Sequence, residues 1–213
     1  MISSIRGKHK MAPLEDKNNR GFPNPKAEII TVKNVRILRP WEAKKLIDSI
    51  PKKSQRLIFE ALLYSGMRYI EAQRLLEKRS MFEPNNKRIH LDNYAIRKAK
   101  IKMKERYVVL SPVGVRVIES FIDSIDKLTD YKTWTENLIR WANFAGISPN
   151  RIGSKTTRKT WESWLMTYYP HLTNHIFLSQ GHNDMVALKH YVTIPFNDDD
   201  KNQMKEFVYG WEP

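Results

Sequence analysis

The chain contains no cysteine, and that absence removes disulfide frameworks, thiolate zinc sites and cysteine nucleophiles together. Any metal would need histidines or carboxylates. No run approaches the ~20 apolar residues that a membrane-spanning helix needs. The opening MISSIRGKHKMAPLEDKNNRG is charged throughout and lacks the apolar segment of a secretory signal. An intracellular, cytoplasmic location follows as the expectation. Internal repeats are absent too. Negative charge is scarce: 23 Asp and Glu stand against 37 Lys and Arg, for a formal net charge of +14 and a pI near 9.9. Such a balance favours a polyanionic partner, because releasing condensed counterions drives binding. Nucleic acid is the first candidate, and since no basic amphipathic helix stands out, a membrane partner is not expected.

What is present suffices for one folded unit: 213 residues, 41% of them hydrophobic. Residues 1–36 mix charge with Gly21, Pro23 and Pro25 and show no sustained period, which reads as a flexible basic tail or linker. Residues 37–213 form the domain. From Pro40 a helix is predicted, with Glu42 near its positive end, Leu46, Ile47 and Ile50 on one face and Pro51 as its stop. A second helix runs from a Ser54 cap to Gly66, and a short third covers 70–76. Three runs at Arg88–Leu91, 94–101 and 106–110 carry β-branched or aromatic residues and predict a small antiparallel sheet. Helical spacing then returns over 115–125, 132–144, Thr156–Tyr168 and 183–190, with a final helix inside 197–211. The fold class is mainly α with a small three-stranded antiparallel sheet.

Phosphodiester cleavage without a metal needs a nucleophile, cations to hold the charge of the pentacoordinate phosphorane, and an acid for the leaving 5′ oxygen. Four segments supply these in order: SGMRYIEA around Arg68, RKAKIKMKERYVVLSP around Lys100, KTTR from Lys155 to Arg158, and LSQGHNDMVALKHY from Leu178 to Tyr191. Read singly, each has a plainer meaning. An arginine after glycine is usually a solvated helix cap, alternating lysines a protected edge strand, and a tyrosine in a helical segment a packed aromatic.

Together the segments resemble the tyrosine recombinase family, from about Ile37 to Trp211. The first looks like the family's phrase in which a glycine precedes an arginine, with Arg68 as a clamp on two non-bridging oxygens. In the second, Lys98, Lys100, Lys102, Lys104 and Arg106 alternate, so one continuous strand would turn all five toward DNA. The resemblance implies that one of these lysines is the general acid; Lys100 is favoured over Lys102, and the others bind DNA. The third segment normally begins with histidine. Here Lys155 takes that place before Arg158, a departure similar to integrases of archaeal viruses and plasmids, and a lysine of ordinary pKa, ~10.4, is a poor base. In the fourth, Gly181-His182 precedes Tyr191 by the family's spacing. His182 would bond the phosphate and Tyr191 would attack it.

The resemblance implies a site-specific recombinase or integrase that cuts double-stranded DNA through a 3′-phosphotyrosyl intermediate without any cofactor or metal, and that self-associates into a tetrameric synapse. Alternatives on the same residues are a type IB topoisomerase-like relaxing enzyme and a non-catalytic DNA-binding regulator. Trp134, Trp141, Trp161 and Trp164 are expected in the core, as are Tyr168 and Tyr169. The run Asp198–Asp200 reads as a helix cap or solvated acid. Met204, Phe207 and Val208 share a face that suits either a neighbouring subunit or the chain's own domain.

Overall fold

The computed structural model describes residues 29–92, 105–182 and 194–213, together with the backbone of 94–95 and 102–103. The helix expected over 183–190 lies outside the described residues. The architecture is mainly helical with a small antiparallel sheet, as the periodicity predicts. Among the described residues no helix is long and apolar enough to cross a membrane.

The first described element corrects the boundary expected at residue 36 between tail and domain. Strands β1 (Ile30–Val32) and β2 (Val35–Ile37) form an antiparallel hairpin. Lys33 and Asn34 between them both take positive φ, 47° and 66°, the combination that a two-residue turn needs if its twist is to match the strands. Ile30, Val32 and Ile37 are buried, so the packed unit reaches back at least to Ile30.

Three helices follow: α1 (Pro40–Ser49), α2 (Lys53–Ser65) and α3 (Tyr69–Glu77). The sheet is built from β3 (Phe82–Glu83), β4 (Arg88–Leu91) and β7 (Arg106–Val109) in that spatial order. Its third strand is therefore Phe82–Glu83 and not the expected run at 94–101. Pro84–Asn86 and a left-handed Lys87 turn the chain sharply between β3 and β4, and closing so short a loop costs little entropy. Within the expected strand, β5 (Tyr94–Ala95) pairs antiparallel with β6 (Lys102–Met103). These are opposite arms of a separate ladder.

Helices α4 (Pro112–Ser124), α5 (Tyr131–Phe144), α6 (Thr156–Tyr168), α7 (Thr173–Gln180) and α8 (Asp198–Val208) complete the unit. Helix α6 is its axis. It packs against α2, α7, α8 and β2, and its residues from Thr156 to Met166, Lys159 alone excepted, are buried. A helix covered on all sides normally carries apolar residues throughout. Trp161 and Trp164 obey, with no exposure, whereas Arg158 and Glu162, one turn apart, do not. Trp134 and Trp141 are core as expected.

The last helix docks on its own domain. Met204, Phe207 and Val208 are buried, Phe207 lies 4.7 Å from the Trp164 ring centre to centre, and Trp211 Nε1 donates to the Val109 carbonyl at 3.0 Å. Asn197 caps α8, accepting from Asp200 N–H at 2.7 Å, while Asp200 pairs with buried Arg39. The acidic run is thus in part a helix cap.

Candidate active site

Helix α2 ends at Gly66, whose φ of +64° is left-handed. A Cβ there would sit 2.6 Å from Gln180 Oε1 and 2.7 Å from Trp161 Cδ1, so both conformation and space demand glycine. Two residues on, Arg68 caps α3. Glu71 accepts its backbone N–H at 2.7 Å and its Nη1 at 2.8 Å, which fixes the stem of the guanidinium while its side chain stays about one-third exposed. Gly181 repeats the device at the end of α7, with φ +65° and a Cβ that would meet Arg106 Cδ at 2.7 Å. His182 follows, its N–H bonded to the Phe177 carbonyl at 3.0 Å.

Arg158 joins these two turns. Its Nη1 donates to the Gly66 carbonyl at 2.8 Å and its Nη2 to the Gln180 carbonyl, two of its five N–H donors. Burial, and after it the nearby Arg68 guanidinium, pushes the Arg158 pKa down to about 9, so it stays cationic at neutral pH.

The resulting cleft, about 710 Å³, is lined by Arg68, Lys155, Arg158 and His182, with Lys127, Lys159, Tyr69 and Tyr131 among the rest of its wall. Among the described residues five Lys and Arg face it against one carboxylate, Asp130, and that carboxylate is turned to the N–H groups of Lys132 and Thr133. The cleft is therefore electropositive, with an apolar flank from Tyr69, Ile70 and Leu128. Lys155 stands exposed at the start of α6.

Two buried carboxylates lie behind the cations. Glu71 receives Arg106 Nη1 and Nη2 at 2.8 Å each, as well as Arg68. Burial pushes its carboxyl up, but the bonds and charge of Arg106, joined by Arg68 and Arg158, win and hold it at about 2. Glu162 has no exposure; its Oε1 lies 2.7 Å from His182 Nε2 and its Oε2 accepts from Lys159 Nζ at 2.8 Å. Burial again pushes upward, and the His182 contact together with the Lys159 charge brings its carboxyl to about 2.

Of the residues singled out from sequence, Arg68, Lys155, Arg158 and His182 come together. Tyr191, Lys98, Lys100 and Lys104 lie outside the described residues, and Lys102 is described by its backbone in β6 alone. Arg106 is a correction. It is buried, spans Glu71 and donates its Nε to the Ser179 carbonyl at 3.0 Å, so it ties β7 to α3 and α7 and does not join a DNA-facing row. The basic alternation carries no mark of where the exposed row stops. Sequence reasoning also passed over Glu71, Lys159 and Glu162. For Glu162 a signal existed: a carboxylate between Trp161 and Trp164, four residues after Arg158, cannot sit on a solvated face.

With two arginines fixed at glycine turns around one electropositive cleft, the fold is that of the tyrosine recombinase catalytic domain. Solved structures similar to the chain include XerA recombinase, with a TM-score of 0.59 at 20% identity over 80% of this chain and 64% of that one. Two structures of the XerH site-specific recombinase, in pre-cleavage and post-cleavage complexes with difH substrates, give TM-scores of 0.57 and 0.56 at 20% and 19% identity over 83% of this chain. The chain spans 54% and 53% of those two. No family model and no curated protein matches the sequence.

Proposed function

We propose that the protein cleaves and rejoins double-stranded DNA at specific sites, with Tyr191 as the covalent nucleophile. The observation that carries this is the cleft itself, where Arg68, Lys155, Arg158 and His182, drawn from three distant stretches of sequence, line one electropositive wall. Arg68 and Arg158 clamp the non-bridging oxygens of the scissile phosphate and stabilise the charge that grows on them. The tyrosine oxygen attacks phosphorus and forms a 3′-phosphotyrosyl ester, and the 5′ oxygen leaves with a proton from a hairpin lysine, Lys100 or Lys102. A 5′ hydroxyl from a partner strand reverses the step. The ester conserves the free energy of the broken bond, so no energy cofactor enters.

The similarity to recombinases supports this reading over mere DNA binding, and the two difH complexes of XerH support a duplex as substrate. Synapsis of two duplexes requires self-association, with a tetramer as its simplest closed form. The test is incubation with a nicked suicide duplex followed by denaturing electrophoresis. A covalent adduct is expected with the parent and none with Tyr191→Phe, whose DNA affinity should be unchanged because only one hydroxyl is lost. An adduct that persists in Tyr191→Phe would remove the assignment.

A further inference from the structure

Lys155 occupies the position where a histidine is expected, and lysine, with a reference pKa of ~10.4, is as a residue type a poor proton acceptor beside imidazole. Another group near the phosphate must do so. Within the cleft wall His182 is the imidazole, and behind it lies a carboxylate that the proposed chemistry does not use. Glu162 is wholly buried on the axial helix and meets His182 Nε2 at 2.7 Å. Lys159, one helical turn before it, holds its other oxygen at 2.8 Å.

A carboxylate at one ring nitrogen decides the tautomer. Neutral histidine bears one N–H, and placing the lone pair of Nε2 against an anionic oxygen is repulsive, so a carboxylate this close favours the tautomer with the proton on Nε2 and the lone pair on Nδ1. A neutral His182 held this way offers an acceptor through Nδ1; only its cation offers a donor there. We propose that Glu162 is a positioning residue that sets His182, in place of Lys155, as the proton acceptor for the tyrosine nucleophile. The inference rests on the function proposed above. The O–H bond of Tyr191 breaks as its proton passes to Nδ1 of His182. The phenolate oxygen bonds to phosphorus, the bond from phosphorus to the 5′ oxygen breaks with its electron pair, and the hairpin lysine protonates that oxygen. Charged groups facing this pair are Lys159 and Arg158 from α6, Arg68 from the turn before α3, and Lys33 of the first hairpin beyond Lys159.

Nitrogen-15 NMR of the parent protein reads the tautomer without any reaction. Neutral His182 protonated on Nε2 is expected, and the Nδ1-protonated form would overturn the proposal. Glu162→Gln keeps the side-chain size but can face the ring with either an oxygen or an amide. It is expected to slow single-turnover cleavage of the suicide duplex about 10-fold or more, in line with other orienting partners of histidine, with DNA affinity unchanged and the fixed tautomer lost. An unchanged rate, or a slower rate with the tautomer intact, would overturn it. If that variant fails to fold, Glu162→Gln with Lys159→Met removes both buried charges and takes the same readings. A His182→Ala protein supplies the last arm: added imidazole should restore cleavage in proportion to its neutral form. Restoration that follows imidazolium would make His182 a phosphate donor and exclude the base role. Were the parent to form no adduct at all, the recombinase reading would fall with the inference; adduct formation with any other contrary result removes the inference alone.

Discussion

Among the described residues, buried charge occurs in two regions built on opposite rules. At the corner where α1 meets α8, each cation has its own carboxylate: Arg36 pairs with Glu42 and Arg39 with Asp200, all four buried. Around the cleft the carboxylates are shared. Glu71 serves Arg68 and Arg106, Glu162 serves Lys159 and His182, and Arg158 is held by two carbonyls. Removing ions from water is expensive unless each is matched, so the corner reads as structure alone. The cleft keeps a surplus of cations beside a cavity, an arrangement that an incoming anion completes. Excess at a surface opening, more than charge itself, marks the place that the proposed function assigns to the scissile phosphate.

This contrast can be broken by mutation. Arg106→Met strips Glu71 of its bidentate partner and should lower stability most, by about 3–5 kcal/mol, the usual effect of orphaning half a buried pair. Denaturant titration measures it, and a loss near zero would mean that Arg68 alone satisfies Glu71. Arg39→Met at the corner should also destabilise, yet leave the cleavage rate of the folded fraction untouched. Next comes Arg158→Lys, which keeps the charge and loses the fork. Cleavage should fall roughly 10²-fold, on the order of 3 kcal/mol, while DNA affinity changes far less. Equal losses in both would reduce Arg158 to general attraction.

Acid sharpens the comparison further. Glu71 and Glu162 have folded-state pKa values of about 2, below the ordinary 4.5. Their stabilisation is therefore complete above the unfolded pKa and is lost as the pH falls from about 4.5 toward 2. Each should forfeit about 2 kcal/mol by pH 3. Glu71→Gln should flatten that part of the stability profile, and an unaltered slope would contradict the shared-carboxylate account. The smallest effect belongs to Lys44→Ala. Its partner Glu206 lies 3.7 Å away with both side chains about two-thirds exposed, so the unfolding midpoint should not move measurably.

The sequence made the cleft cations legible because their placement is local. Gly66 and Gly181 are dictated by left-handed backbone, and Arg68 and His182 follow each at a fixed offset. Helix spans were readable from apolar spacing, and the core tryptophans from theirs. What stayed hidden depends on partners far along the chain. Arg106 continues a basic alternation, and only its contacts with Glu71 and Ser179, 35 and 73 residues away, turn it inward. The first hairpin was missed because its strands are three residues each; positive φ at Asn34, a residue tolerant of it, was the available cue.

The axial helix also bears on how the fold is reached. Leu38 gives its N–H to Thr160 and its carbonyl to the Trp164 indole, across 122 and 126 residues, and Arg39 finds Asp200 across 161. Contacts of such separation fix a long loop before they return any stabilisation. The α1 corner is complete only when both α6 and α8 are in place. A chain interrupted before Asp200 is therefore left with Trp164 uncovered by Phe207 and Arg39 without its anion.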